Sequence, residues 1–303
     1  MVYQNLIETA TRLGCTVTEQ APLSAATTFK VGGPADLFIG LPDAAALQAV
    51  VSLCRQEEIP TLFIGNGSNL LVGDKGFRGA VLRLEGRGTE PTISDDGTVF
   101  APAGMSLQRL CLFARDHSLT GLEFAYGIPG TVGGAVYMNA GAYDGCMSDV
   151  VVSAHCITPD GATAVLTADE LDMTYRHTAL MEKGYIVTDA TLQLRQGDQE
   201  AIWAKMKDLM ARRHDKQPLE YPSAGSFFKR PTGHFAGALV EQAGLKGFTV
   251  GGAQVSEKHA GFVINRGGAT AADILSLCEQ VQDKIFKEFG VRLEPEVRFV
   301  GEF

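Results

Sequence analysis

The chain lacks the cysteine and histidine spacings that hold metals or disulfide frameworks. Its six cysteines are scattered over 303 residues and form no C-x-x-C pair. This scatter argues against a disulfide-rich secreted domain and a zinc site, and it predicts reduced, buried thiols. The six histidines include no H-E-x-x-H or H-x-H spacing, so the sequence predicts no metal site.

Positive charge and long apolar runs are also scarce. The formal net charge is −9, whereas a nucleic-acid-binding domain usually presents a basic face. No apolar run approaches the roughly 18 residues of a membrane-spanning helix. The amphipathic stretch 1–13 contains Glu8 and has no apolar signal-peptide core. We therefore expect a cytoplasmic α+β enzyme or binding protein, with no nucleic-acid or membrane partner.

Glycine, by contrast, is concentrated in one segment. Residues 121–145 (GLEFAYGIPGTVGGAVYMNAGAYDG) hold seven glycines, two charged residues and no helical apolar period. Glycine at this density is tolerated where the backbone turns sharply or approaches another group closely. The segment predicts a buried loop whose amides face an anion or a flat ring system. A glycine-rich turn inside a packed sheet is the alternative.

A second glycine loop follows a short apolar strand at 61–64. Its sequence, GNGSN at 65–69, matches the start of a dinucleotide-binding fingerprint, but Leu70 stands at the third glycine position. Three glycines within 73–79 also interrupt the helix that a Rossmann unit requires. The loop therefore predicts a phosphate-cradling turn without that helix. A type I′ turn joining two strands is the alternative.

Hydrophobic periodicity divides the rest of the chain. It predicts helices over 43–58, 106–117, 200–214 and 271–289, the first two capped by Asp43 and Ser106. It predicts strands at 61–64, 150–152, 164–166, 184–188 and 297–300. We expect three parts, with boundaries at 1–79, 80–214 and 215–303.

Basic residues cluster near the start of the third part. Residues 203–230 contain seven Lys or Arg and three acidic residues, which is typical of a site for a phosphorylated or carboxylated ligand. We place Lys216, Lys229 and Arg230 outside the predicted helix, where they are candidate ligand contacts. A solvated helix face is the alternative.

Six motifs occur along the chain in a specific order. They are TFKVGG (28–33), GNGSNLLV (65–72), GIPGTVGGAVYMNAGAY (127–143), YRH (175–177), PSAGSFFKRP (222–231) and LEPEVRFVG (293–301). Together they closely resemble the UDP-N-acetylenolpyruvoylglucosamine reductase family. The resemblance implies a two-part FAD-binding domain of the vanillyl-alcohol-oxidase (PCMH) type and a C-terminal α+β substrate-binding domain. It implies non-covalent FAD, NADPH as co-substrate, and a small-molecule sugar nucleotide substrate of peptidoglycan synthesis. We expect a monomer, although the sequence alone does not fix the oligomeric state.

The resemblance also implies the site residues. The catalytic residues would be Arg176, Ser226 and Glu296: the serine delivers a proton, and the other two stabilise charge at the substrate carboxylate. Glu294 competes with Glu296 for the acidic role. Substrate binding would involve Tyr175, Lys216, Lys229 and Arg230. FAD would be bound by Gly65, Asn66, Gly67, Ser68, Asn69, Ile128, Pro129, Gly130, Thr131, Gly133, Gly134, Ala135, Asn139, Ala140, Gly141 and Ile186.

One departure from the longer family members concerns the active-site cover. Only fifty positions separate Arg176 from Ser226, so the chain resembles the shorter type, which lacks the insertion carrying a substrate-covering tyrosine. That tyrosine cannot be assigned to Tyr143, Tyr175 or Tyr221. Two other functions stay open: an FAD-dependent sugar or alcohol oxidase of the same fold, and a non-catalytic nucleotide-sugar binder.

Overall fold

The computed structural model describes residues 3–86 and 90–303 of the chain, so the stretch 1–13 begins outside the described residues. The described residues form nine α-helices: α1 (Gln4–Arg12), α2 (Ala44–Gln56), α3 (Leu107–Asp116), α4 (Val132–Tyr137), α5 (Ala168–Leu171), α6 (Ala179–Lys183), α7 (Gln199–Lys216), α8 (Ala236–Gln242) and α9 (Ala271–Phe289). They also form nineteen strands: β1 (Thr16–Pro22), β2 (Pro34–Leu41), β3 (Thr61–Phe63), β4 (Leu70–Val72), β5 (Phe77–Leu84), β6 (Thr92–Ile93), β7 (Thr98–Pro102), β8 (Leu119–Thr120), β9 (Gly141–Ala142), β10 (Gly145–Cys146), β11 (Val151–Ile157), β12 (Thr163–Thr167), β13 (Ile186–Gln193), β14 (Arg195–Gln196), β15 (Ser223–Ser226), β16 (Thr249–Val250), β17 (Ala253–Val255), β18 (Phe262–Asn265) and β19 (Arg298–Val300).

The chain folds into two compact units, each made of separate chain segments. The first contains the described residues of Met1–Glu19, Leu37–Asn66 and Gly79–Arg212. The second contains Gln20–Asp36, Gly67–Arg78 and Arg213–Phe303. The division into functional domains at 1–79, 80–214 and 215–303 stays a prediction.

The first unit is built on two sheets. Its antiparallel sheet has the strand order β12-β11-β13-β7-β6, and β3 runs parallel to β5 in the other sheet. Helix α2 begins where the side chain of Asp43 accepts the N–H of Ala46, and it buries Leu47, Val50 and Cys54 on one face. Ser106 caps α3 in the same way. Both caps and both helices confirm the sequence prediction.

The glycine-rich segment contains a helix that the sequence did not predict. Helix α4 begins after Thr131, whose side chain accepts the N–H of Gly134. It buries Val132 and Val136 and packs against β13. The prediction of a continuous loop was wrong here because two glycines in a six-residue helix hide the apolar spacing. The cap and the packing offset the low helix propensity of glycine.

The second unit combines a four-stranded antiparallel sheet with two helices. The sheet has the order β15-β18-β17-β16, and its core includes Phe29, Phe227, Leu239 and Ile274. Helix α9 begins with a reciprocal cap between Thr270 and Asp273 and ends at Gly290, which has φ +69°. Its bounds are those predicted from the apolar period, since both termini carry clear signals.

Two sequence interpretations do not hold. Strand β3 pairs with β5, and β4 pairs in parallel with β19, so the alternative of a type I′ turn joining two paired strands at 65–69 is wrong. Helix α7 extends to Lys216, so that lysine lies within the helix. The predicted end at residue 214 was early because no glycine or proline stops the helix before Pro218.

Candidate active site

In the first unit, the start of the GNGSN turn lies against the loop that leads into α4. The side-chain amide of Asn66 donates a hydrogen bond to the carbonyl of Pro129 at 3.2 Å. A Cβ atom added to Gly65 would collide with the hydroxyl of Thr131. The structure therefore brings together two loops that the sequence predicted, separately, to bind the same cofactor.

Backbone amides in these two loops are available to a ligand. Within the described parts of the chain, the N–H groups of Gly65, Asn66, Gly130 and Thr131 donate no hydrogen bond. Successive unpaired amides in turns form concave sites for anions. The residues present therefore fit an anionic group such as the pyrophosphate of a dinucleotide.

The glycines of these loops serve different purposes. A Cβ atom at Gly133 would lie 2.7 Å from the Cβ of Ala103, and one at Gly67, which has φ +60°, would collide with the carbonyl of Ala26. Both positions are glycine because the protein's own backbone and side chains leave no room. A Cβ atom at Gly134 would meet only the Thr131 hydroxyl, at 3.3 Å. Gly134 is therefore the least crowded of the three positions.

Arg176 lies in a tight turn of the first unit. Thr174 and His177 exchange backbone hydrogen bonds of 3.1 and 3.2 Å across it, and Arg176 has φ +56°. A non-glycine residue in the left-handed region is strained, and such strain concentrates at functional sites. The guanidinium donates to the carbonyls of Asn139, at 3.5 Å, and Gly141, at 3.2 Å.

Asn139 fixes this turn from the other side. It is buried and itself has φ +41°. Its side-chain amide donates to the carbonyl of Thr174 at 2.9 Å, and its side-chain oxygen accepts the N–H of Ser148 at 3.0 Å. Predicted as a cofactor contact, Asn139 makes its described contacts to the residues around Arg176. The structure thus brings Asn139, Gly141, Tyr175 and Arg176 together.

Ser226 is presented by a β-bulge in the second unit. Ser223 pairs with Ile264 and Ser226 pairs with Phe262, so three steps along β15 oppose two along β18. The bulge contains Gly225, which has φ +79°. Bulges next to active sites change the direction of a side chain. Ser226 is exposed at the end of this strand, next to the buried ring of Phe227.

Glu296 lies on the segment paired with the residues after Ser226. Its N–H donates to the carbonyl of Phe227 at 2.8 Å, and its own carbonyl accepts the side-chain amide of Asn69 at 3.2 Å. Glu294, by contrast, is 73% exposed and forms a 3.4 Å ion pair with Lys229. The two candidate glutamates therefore lie in different surroundings.

Comparison with known proteins identifies the family. A model of FAD-binding domains matches residues 35–167, and a model of the C-terminal domain of UDP-N-acetylenolpyruvoylglucosamine reductase matches residues 217–300. The reductase of Lachnoclostridium phytofermentans is 51% identical over 289 residues, which are 94% of this chain and 93% of that protein. The chain belongs to the UDP-N-acetylenolpyruvoylglucosamine reductase family. The reductase of Agathobacter rectalis is 49% identical, with 94% of each chain covered.

A solved structure of the same family supports the fold. The UDP-N-acetylenolpyruvylglucosamine reductase of Thermus caldophilus superposes with a TM-score of 0.79 at 37% identity, covering 94% of this chain and 98% of that one. The predicted family and the predicted fold class, a PCMH-type FAD-binding part followed by a C-terminal α+β domain, are confirmed. The site residues stay predictions.

A pair of glycine variants tests the predicted binding of FAD by the loop that leads into α4. We expect Gly134→Val to fold but to lose flavin, because its side chain would project beside the Thr131 hydroxyl, in the loop whose amides are predicted to bind the cofactor. Gly133→Val, the control, should unfold at lower temperature, since overpacking costs about 1–3 kcal/mol or more. Flavin absorbance per protein and thermal unfolding separate the two. A folded Gly134→Val protein with full flavin content would contradict this placement.

The other predicted contacts lie at the ends of elements or at exposed positions. Ile186 begins β13 opposite Ile157. Lys216 ends α7, and Arg230 lies 3.9 Å over the ring of Phe235. Tyr175 is 57% exposed, and the guanidinium of Arg176 lies 5.2 Å from its ring centroid.

Sequence reasoning missed the residues that hold the site residues in place. The bulge at Gly225 and the left-handed conformation of Arg176 depend on pairings that one sequence does not reveal. A signal was present for Thr131, since threonine is among the residues preferred at a helix N-cap.

Most of the cysteines are buried, free thiols. All six are free, and five are buried. Burial raises the pKa of the Cys54, Cys156 and Cys278 thiols to about 12, so they are protonated at neutral pH. Among residues 3–86 and 90–303, no cluster of three or more His, Cys, Asp or Glu could hold a metal ion. No helix in those ranges has both the length and the apolar character needed to cross a bilayer.

Proposed function

We propose that this chain reduces UDP-N-acetylglucosamine enolpyruvate to UDP-N-acetylmuramate in peptidoglycan precursor synthesis, with non-covalent FAD and NADPH. The observation that carries the proposal is the match of one chain to both the FAD-binding model and the family's own C-terminal domain. Full-length relatives near 50% identity carry the name of this reductase.

The first unit would hold the flavin. The free amides of Gly65, Asn66, Gly130 and Thr131 fit its pyrophosphate, because hydrogen bonds from backbone amides can stabilise an anion without a lysine. When bound, the flavin supplies a hydride, taken from NADPH, to the enolpyruvyl double bond. The chain's own residues would bind, orient and protonate the substrate.

Three side chains would stabilise the developing negative charge and deliver the proton to the substrate. Negative charge builds beside the substrate carboxylate as the double bond is reduced, and the Arg176 guanidinium and the Glu296 carboxyl group would stabilise it where it develops. Ser226 would deliver a proton to the neighbouring carbon. Serine is a weak acid, so this role requires a fixed position and a supporting field. Lys229, three residues further along the chain, is a source of positive charge.

Four side chains would bind the substrate. The sugar nucleotide has an anionic diphosphate and an anionic carboxylate, and it would be contacted by Lys216, Lys229, Arg230 and Tyr175.

The six free thiols support a reducing, cytoplasmic compartment. We propose a monomer that acts on small molecules and binds neither nucleic acid nor membrane.

Product analysis tests the function directly. The purified protein with NADPH and the enolpyruvyl sugar nucleotide should form UDP-N-acetylmuramate, with one NADPH oxidised for each product molecule, measured by mass spectrometry and absorbance. A protein without flavin and without product would instead be a nucleotide-sugar binder. Oxygen consumption with no product from the enolpyruvyl substrate would indicate an oxidase.

A further inference from the structure

The half-buried ring of His259 lies against Gly261 in the turn before β18. Its Nδ1 accepts the N–H of Gly261 at 3.1 Å. Because a backbone N–H can only donate, Nδ1 carries no proton and the ring hydrogen is on Nε2. The ring packs edge-on against Phe262, with centroids 5.0 Å apart. A Cβ atom at Gly261 would lie 3.0 Å from the imidazole, so the ring occupies the space that another side chain would need.

The same glycine holds the strand of Ser226. The carbonyl of Gly261 accepts the N–H of Phe227 at 2.8 Å, and the next residue, Phe262, is the sheet partner of Ser226. Ser226 follows the bulge at Gly225, where regular pairing is interrupted. The backbone position of Ser226 therefore depends on the turn in which His259 Nδ1 accepts the Gly261 N–H.

We propose that the neutral imidazole of His259 is a positioning residue for Ser226. By accepting the Gly261 N–H it fixes the turn that aligns the serine for proton delivery. The proposal rests on the proposed function of Ser226.

Protonation would remove this contact. A proton on Nδ1 places two N–H donors opposite each other, and neither can accept. Burial lowers the pKa of His259 below 6.5, and the charge of Lys246 lowers it further, while a hydrogen bond to the backbone and the charge of Glu241 act in the opposite direction. Glu241, near the end of α8, forms a 2.6 Å ion pair with Lys246, while Glu257 and Lys258 on the same turn as His259 are exposed. The ring is therefore neutral at pH 7 and loses its acceptor in acid.

The sign of the pH effect follows from this lowered pKa. The unfolded chain binds the proton at a higher pH than the folded chain does. The contribution of His259 to stability is therefore present above about pH 6.5 and is lost as the pH falls through the folded-state pKa. The rate of the serine-dependent step should fall over the same acid range.

Two variants separate positioning from simple packing. Asn in place of His259 keeps an acceptor at the position of Nδ1 and does not titrate, whereas Leu keeps the volume and removes the acceptor. We expect His259→Leu to slow reoxidation of the reduced flavin by the enolpyruvyl substrate about 10- to 100-fold, as small misplacements do. Flavin content and reduction by NADPH should be unchanged. His259→Asn should stay within a few-fold of wild type and lose the acid limb of the pH profile. His214→Leu, at an exposed site, is the control.

Nitrogen chemical shifts of labelled histidine give a readout independent of turnover. We expect the His259 ring to be neutral at pH 7, with the hydrogen on Nε2. A charged ring, a hydrogen on Nδ1, or normal reoxidation in a folded His259→Leu protein would overturn the proposal. If the leucine variant does not fold, an acid limb that persists unchanged in His259→Asn would overturn it. If Ser226→Ala itself leaves reoxidation unchanged, the proposed function of the serine fails instead.

Discussion

Ser226→Ala protein is expected to accept electrons from NADPH at nearly the wild-type rate and to pass them to the enolpyruvyl substrate 100- to 10,000-fold more slowly. This range, about 10²–10⁴, is what general acid catalysis typically contributes. The split follows because a donor of a proton to the substrate carbon acts only once hydride has left the flavin, whereas Ser226 has no proposed part in flavin reduction. Removing one hydroxyl group should leave flavin binding intact.

The two half-reactions can be measured separately by stopped-flow absorbance under nitrogen. Ser223→Ala is a matched control on the same strand, and its carbonyl contact with the Thr28 hydroxyl at 2.7 Å is a backbone contact that the substitution keeps. Slower flavin reduction with normal reoxidation in Ser226→Ala would show that this serine is not the proton donor.

Glu296→Gln is the second substitution with a large expected effect. Reoxidation should slow about 100- to 1,000-fold, which is the usual loss when one preorganised group at a developing charge is removed. Reduction by NADPH should change little, since this charge develops only on the sugar nucleotide. The backbone contacts of Glu296 to Phe227 and Asn69 are kept by glutamine, which has nearly the same shape as glutamate.

Glu294→Gln is the matched control for this experiment. It removes only an exposed ion pair with Lys229, and such pairs contribute about 0–1 kcal/mol. Its half-reactions should stay within a few-fold of wild type. If Glu294→Gln caused the large loss and Glu296→Gln did not, the acidic role would belong to Glu294.

Local signals explain which parts of the fold could be read from the sequence. Helices α2, α3 and α9 were predicted because each combines an apolar stripe with a side-chain cap at its start. Helix α4 was missed because its cap and packing compensate for glycines that weaken the pattern. Lys216 was misplaced because α7 ends without a terminating residue.

Pairing between strands that are distant in the sequence explains which parts of the fold could not be predicted. Strand β4 pairs with β19, more than two hundred residues away, and neither segment contains information about its partner. The left-handed conformations of Asn139 and Arg176 are likewise imposed by contacts made after folding. Family motifs located the candidate residues, but the bulge at Gly225 and the brace at His259 emerge only from the folded chain.

The most direct test of the central claim is a single turnover without oxygen. Protein bleached with one equivalent of NADPH under nitrogen is mixed with UDP-N-acetylglucosamine enolpyruvate, and flavin absorbance is followed. We expect the absorbance to return within one turnover, with one UDP-N-acetylmuramate formed per flavin, while air alone restores it slowly. A bleached protein that stays reduced with the sugar nucleotide but is rapidly reoxidised by air would contradict the assignment.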